Sequence, residues 1–279
     1  MTAPAEEQAR RDFPRGLSQP DRGFRFSLDA LLLAAFAGRE RMRGRVLDLG
    51  TGCGVVGLGL ALDHPDFFGI GLDLSPDMLL HARENSRRLG LADRFAPLLA
   101  DVCGPMGLEP ESVDMVLCNP PYRDPDRGRT CPDPDRTLAR FESRAALADF
   151  VRATAYLLRN RKSCCFIHLA ERVDELLDLL RAARLQPKEV LFVHQRPDSA
   201  ARLVLVRGIK NGGPGLTVSA PLFVHEGQGC ATRLSAAALS FCPRLACNAE
   251  PGKKNSRTNG GNSEKSKTKE IGTICSCAR

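Results

Sequence analysis

The sequence predicts an α/β fold in which helices pack on a mostly parallel sheet, and three observations carry that prediction. Short β-rich apolar runs alternate with longer runs of helical periodicity from about residue 45 to about residue 207. Asp48, Asp73 and Asp101 stand at the exits of three successive predicted strands, and a glycine-dense turn, Gly50-Thr51-Gly52-Cys53-Gly54, follows the first. Ligands of open parallel sheets bind at those carboxyl ends. The last two predicted strands, 189–194 and 201–207, are joined by a short polar connection holding Pro197-Asp198-Ser199. That spacing suits a hairpin, and hence an antiparallel edge strand.

With 279 residues, 43% of them hydrophobic, the chain can bury one ample core, which fits a single domain of ~200 residues with terminal extensions. The formal charge of +7 is uneven: residues 250–279 hold seven Lys or Arg against three Asp or Glu, a net +4, leaving +3 for the body. Totals of that size establish no strong field for nucleic acid. The N-terminus carries Glu6, Glu7, Arg10 and Arg11 where a secretory signal needs an apolar core, and no apolar run approaches the ~20 residues of a membrane span. The expectation is a cytoplasmic protein without a membrane partner. The eleven cysteines show no zinc-like spacing, so no metal is expected, and Cys53, Cys118, Cys164 and Cys165 read as small apolar residues.

Residues 1–23, charged and holding Pro4 and Pro14, read as a mobile lead-in. A helix follows from Leu28, with Ser27 as N-cap and Gly38 as terminator. The strand 45–49 turns through Gly50 to Gly54 into a helix over 55–63, and small residues there let the backbone approach a ligand at a helix N-terminus. Gly57 and Gly59 overfill the usual dinucleotide spacing rather than discriminate. The strand 67–72 ends in Asp73, where an acid can hydrogen-bond a ribose diol. Ser75 and Pro76 then open a helix that Gly90 stops. The strand 95–100 ends in Asp101. Beyond residue 122 come a helix over 143–158, a strand over 163–169 and a helix over 171–184. His168 and His194 read as strand residues at sheet margins rather than catalytic bases.

The strand 113–118 runs straight into Asn119-Pro120-Pro121-Tyr122. Two prolines donate nothing to a sheet ladder, so they end the strand in a rigid loop, and Pro121 holds Pro120 extended. The side-chain oxygen of Asn119 and the carbonyl of Pro120 can together accept both hydrogens of a planar NH2 group, while Tyr122 offers a face on which its ring can stack. A conjugated amine or amide is the substrate that such a pair implies. Residues 123–137 form a long loop without periodicity, in which Arg123, Arg127, Arg129 and Arg136, with Arg140 beyond it, could meet phosphates. Asp124, Asp126, Asp133 and Asp135 leave self-pairing equally open.

Taken together, the seven strands, the run Val46-Leu47-Asp48-Leu49-Gly50-Thr51-Gly52-Cys53-Gly54 and the Asn-Pro-Pro-Tyr motif resemble the class I S-adenosylmethionine-dependent methyltransferases that act on amino nitrogen. That resemblance implies a doubly wound, Rossmann-like sheet of seven strands whose last strand is antiparallel. The opening Phe24-Arg25-Phe26-Ser27-Leu28-Asp29-Ala30-Leu31-Leu32-Leu33 is similar to that of the bacterial tRNA adenine-N6 methyltransferases acting beside the anticodon of a valine tRNA. It implies S-adenosylmethionine as cofactor and tRNA as partner. By resemblance, Asp73 with Leu74 would hold the ribose, Asp101 with Val102 the adenine, Gly50, Thr51, Gly52 and Gly54 the methionine portion, and Asp48 would lie near its ammonium. Asn119, Pro120 and Tyr122 would be catalytic, and Arg123, Arg136 and Arg140 would bind the substrate.

Glutamine-N5 methyltransferases of release factors share Asn-Pro-Pro-Tyr, since a carboxamide also offers two hydrogens, but they carry a helical N-terminal domain that the lead-in is too short to form. A cofactor-dependent RNA-binding module without turnover is a further alternative. The resemblance covers residues 24–228. Residues 229–279 are expected to be a disordered tail, dispensable for catalysis. Codons for Ala231 to Ser235, read in a shifted frame, can encode the Tyr-Thr-Pro that the family has there, so a frame shift after Gly229 is expected.

Overall fold

The computed structural model describes residues 3–20, 26–104, 106–122 and 145–248. Its central sheet contains β1 (Gly44–Leu49), β2 (Phe67–Asp73), β3 (Phe95–Leu99), β4 (Val113–Cys118), β5 (Leu158–Leu169), β6 (Leu185–His194) and β7 (Ala201–Lys210), with the short β8 (Thr217–Val218) and β9 (Leu222–Phe223). Their order is β3-β2-β1-β4-β5-β7-β6-β8, and β9 also pairs with β6. The first five strands pair with one another in parallel, and β7 is antiparallel to both β5 and β6. This is the doubly wound α/β arrangement with seven principal strands.

One expectation about the sheet is corrected. The antiparallel strand is not at the edge but lies between β5 and β6. Leu203, Val204, Leu205 and Val206 are all buried, and so continuous an apolar run is accommodated where both faces are covered and both ladders are satisfied. The edge falls to the two-residue strands β8 and β9, which both pair with β6. His168 is corrected with it, since it lies on the internal strand β5 and is fully buried.

Helices α2 (Leu28–Ala37), α3 (Val55–Asp63) and α4 (Pro76–Arg88) contribute to the core on one side of the sheet. Helices α5 (Leu147–Leu157) and α6 (Val173–Ala182) contribute to the core on the other. Gly57 and Gly59 owe their identity to this packing. A Cβ on Gly57 would lie 2.5 Å from the Phe95 ring, and one on Gly59 would lie 3.2 Å from Phe13. Gly69 and Gly71 of β2 leave room for the same Phe95 ring, so helix and strand close tightly around one aromatic side chain. Away from the glycine turn, Arg207 of β7 is paired with Glu40 and Glu189, and Arg39 donates to Glu189 at 2.9 Å, which ties the end of α2 to β6 and β7.

Both termini depart from expectation. The lead-in forms α1 (Ala3–Asp12), and Phe13 behind it is 1% exposed. Arg10 donates to Leu89 O at 2.8 Å, and Asn85 of α4 both accepts from Ser18 N at 2.6 Å and donates to Ser18 O at 2.9 Å. A charged helix with one anchoring Phe reads as solvent-exposed chain in sequence, yet that Phe and the backbone clasp at Asn85 seat it. At the other end, the fold does not stop at residue 228. His225–Glu226 (β10) pairs with Arg233–Leu234 (β11), and α7 (Ala236–Phe241) and α8 (Leu245–Asn248) follow. Ser235 caps α7 by accepting from Ala238 N at 3.0 Å, while Ala238, Cys242 and Leu245 enter the core. The segment Ala231 to Asn248 therefore packs, contrary to the expectation of disorder directly after Gly229. Only the part after Asn248 lies outside the described residues.

Candidate active site

The sheet register brings the predicted site together. Leu49 is opposite Leu72 on one side and Cys118 on the other, and Asp73 is opposite Leu99. The chain therefore leaves β1 at Gly50, β2 at Asp73 and β4 at Asn119 along one edge of the sheet, with Asp101 just past β3. Parallel pairing forces this convergence, because every strand then exits on the same side.

The turn after β1 is built from backbone that favours glycine: φ is +72° at Gly50, +55° at Gly52 and +88° at Gly54. An L side chain is strained at each. Gly50 N and Thr51 N donate to Leu72 O at 2.8 and 3.0 Å, and Gly54 N donates to Thr51 O at 2.9 Å. Above Gly52 the space is open, for a Cβ placed there would meet nothing within 4 Å. Asp73 forms the lip of that space, accepting from Gly52 N at 2.8 Å and from Ser75 N at 3.0 Å. Burial raises its pKa above the ordinary carboxylate value. Leu74 beside it is an apolar side chain left 42% exposed. Asp101 accepts from Cys103 N at 2.8 Å, and Val102 packs half-buried against the core.

Asp48, which resemblance puts near the ammonium of the cofactor, bonds to the turn from within the fold. It is buried beneath the turn, where one carboxylate oxygen accepts from Thr51 Oγ1 at 2.7 Å and from Gly57 N at 3.2 Å. Burial pushes its pKa up to about 6, against the lowering effect of those two bonds. Its bonding holds the turn to the start of α3. Asn85 adds a second brace, donating to Cys53 O at 2.9 Å while it clasps Ser18. A lone Asn on a polar helix gave no sign of this in the sequence.

At the end of β4, Asn119 is half-buried, Pro120 is buried and Pro121 is exposed. The Tyr122 hydroxyl lies 2.6 Å from Asp29 Oδ2 and 3.1 Å from the side-chain oxygen of Asn119. The Tyr122 ring meets His168 edge-on, with centroids 5.4 Å apart, and the Arg172 guanidinium donates to Tyr122 O at 3.3 Å. Burial lowers the His168 pKa to about 4, so that imidazole is neutral at physiological pH. Asp29, in the first turn after the Ser27 cap, joins the site through a contact that local sequence spacing does not reveal. Arg123, Arg136 and Arg140, with the loop that carries them, lie outside the described residues. Among the described residues no three His, Cys, Asp or Glu side chains gather as a metal site, and no helix is long and apolar enough to cross a membrane.

A mostly parallel sheet with a glycine turn, an acid at the lip and Asn-Pro-Pro-Tyr at the adjoining strand end is the arrangement implied by the resemblance to the S-adenosylmethionine-dependent methyltransferases. Residues 41–203 match the family described as Methyltransferase domain, and the chain belongs to that family. It is 30% identical over 178 residues to a tRNA1(Val) (adenine(37)-N6)-methyltransferase of Parabacteroides distasonis, covering 64% of this chain and 73% of the relative. A release factor glutamine methyltransferase of Cereibacter sphaeroides is 46% identical, but over 77 residues, 28% of this chain and 27% of the relative. Among solved structures, the predicted O-methyltransferase Atu636 of Agrobacterium tumefaciens superposes with a TM-score of 0.63 at 23% identity, over 78% of this chain and 96% of that one. The last likeness is one of fold.

S-Adenosylmethionine is the cofactor of this family. The open space above Gly52, the acceptor at Asp73 and the exposed Leu74 fit such a molecule. When bound, it supplies an electrophilic methyl group.

Proposed function

We propose that this chain methylates the N6 amino group of an adenosine in tRNA, near the anticodon. The observation that carries the reading is coverage. The similarity to the tRNA adenine-N6 methyltransferase of P. distasonis extends over 73% of that protein, whereas that to the release factor enzyme of C. sphaeroides is confined to 27%. The shorter match favours shared cofactor and amine chemistry rather than a shared substrate.

In this reading Asp73 and Leu74 hold the ribose, Asp101 and Val102 the adenine of the cofactor, and Gly50, Thr51, Gly52 and Gly54 its methionine portion, with Asp48 supporting them from below. Asn119 and the Pro120 carbonyl accept the two hydrogens of the substrate amine. An aromatic amine is a weak nucleophile because its lone pair is spread into the ring, and holding both hydrogens favours localising that pair toward the methyl. Position and hydrogen bonding supply the acceleration, with no strongly basic side chain required. Formation of the nitrogen–carbon bond would break the methyl–sulfur bond of the sulfonium, and the nitrogen then releases its proton to solvent. Tyr122 offers the target base a partner for the stacking it gives up, and Arg123, Arg136 and Arg140 meet RNA phosphates.

Glutamine methylation of a release factor remains the second reading, since a carboxamide satisfies the same two acceptors. The decisive experiment supplies labelled S-adenosylmethionine with unmodified bulk tRNA or with purified release factor. Label in N6-methyladenosine after nuclease digestion is the expected result. Label in release factor alone would replace this proposal with the second reading, and label in neither, with cofactor still bound, would favour a non-catalytic RNA-binding module.

A further inference from the structure

We infer that Asp29 is a positioning residue for methyl transfer: through the Tyr122 hydroxyl it determines which end of the Asn119 amide faces the substrate amine. The inference rests on the reading of Asn119 as an acceptor. Its observation is that the Tyr122 hydroxyl lies within hydrogen-bond distance of both Asp29 Oδ2, at 2.6 Å, and Asn119 Oδ1, at 3.1 Å, although it has one hydrogen to give.

A phenol has one hydrogen to give and lone pairs to offer. The Asp29 carboxylate is both the nearer acceptor and the stronger one, because hydrogen bonds to ionised groups are shorter and stronger than neutral ones. The hydroxyl proton therefore goes to Asp29. Burial, and then the Asp29 carboxylate, raise the Tyr122 pKa, so the phenol stays protonated at neutral pH. Only lone pairs then face Asn119. The two ends of a carboxamide have nearly the same shape and exchange by a half turn, and the end that satisfies a lone pair is Nδ2. A half turn of the amide from the placement in which Oδ1 faces the hydroxyl would let Nδ2 donate to Tyr122 and leave the Asn119 oxygen free to accept from a substrate amine.

Without the Asp29 carboxylate the arrangement inverts. The Tyr122 proton can then go to the Asn119 oxygen, which turns the amide hydrogens toward those of the substrate, donor against donor. The geometry is well supported for such a task. Asp29 lies in the first turn of α2, whose Leu31, Leu32 and Leu33 are buried, and Tyr122 is held at its carbonyl by Arg172 and at its ring edge by neutral His168.

Two measurements on the full chain test the inference. In the free protein labelled with nitrogen-15 asparagine, the Asn119 side-chain amide is assigned by its loss in Asn119→Ala. Its resonances are expected to shift in both Tyr122→Phe and Asp29→Asn; unmoved resonances in both overturn the inference. In methyl transfer, Asp29→Asn is expected to lower kcat by about ten- to a hundredfold with substrate KM and S-adenosylmethionine Kd unchanged, and to have no further effect in the Asn119→Ala background. A second loss of kcat in that background would make Asp29 merely structural. If release factor rather than tRNA accepts the methyl, the proposed substrate falls while the same comparison is made on release factor. If neither does, the resonance measurement decides.

Discussion

At Asp48 a single carboxylate couples the architecture of the turn to pH. Its folded pKa of about 6 lies above the ordinary 3.8, so the folded state binds that proton more tightly than the unfolded chain. The resulting stabilisation is fully present below pH 3.8 and is lost as pH rises through 6, a change of about 3 kcal/mol. Urea unfolding between pH 4 and 7 should show wild type losing stability relative to Asp48→Asn by up to that amount; parallel profiles would contradict the burial argument. Asn119→Ala tests the other side of the site. It should lower methyl transfer by about 10² to 10³ while leaving S-adenosylmethionine affinity unchanged. Equal losses in rate and in calorimetric affinity would make Asn119 a structural residue. The motif was legible because Asn-Pro-Pro-Tyr is local, whereas Asp29 enters through a contact 93 residues distant in sequence.

Among the elements, the exits of β1 and β2 act together. Asp73 accepts the Gly52 amide, so Asp73→Ala should loosen the turn as well as weaken cofactor binding. The expected result is at least a tenfold rise in the S-adenosylmethionine Kd by calorimetry, with stability lowered by about 1–3 kcal/mol from the lost bonds to a charged group. Unchanged affinity would remove Asp73 from the site. The glycines of this region show how local and tertiary causes mix in one sequence run. Gly50, Gly52 and Gly54 answer to backbone φ, which a turn prediction anticipates. Gly57 and Gly59 answer to Phe95 and Phe13, residues that spacing alone could not pair with them.

Over the whole molecule, the packed unit runs through the C-terminal helices. Removing everything after Gly229 would strip Ala238, Cys242 and Leu245 from the core and the Ser235 cap from α7. Such a chain should unfold at markedly lower temperature and at lower denaturant concentration than wild type, since each large core truncation costs about 2–5 kcal/mol. A chain ending at Asn248 should keep both the wild-type melting temperature and the S-adenosylmethionine affinity. Equal stability of the two truncations would restore the shorter boundary at residue 228.

The sequence by itself determined the α/β class, the seven principal strands, the turn at Gly50 to Gly54 and the placement of Asp73 and Asn119 at strand exits. These follow from periodicity and turn chemistry, which act over a few residues at a time. Only the tertiary structure decided that β7 lies inside the sheet, that Phe13 seats the N-terminal helix, that the chain from Ala231 to Asn248 joins the core, and that Asp29 reaches the Tyr122 hydroxyl. Each of these depends on a partner far along the chain, and such a partner leaves no mark on the spacing of neighbouring residues.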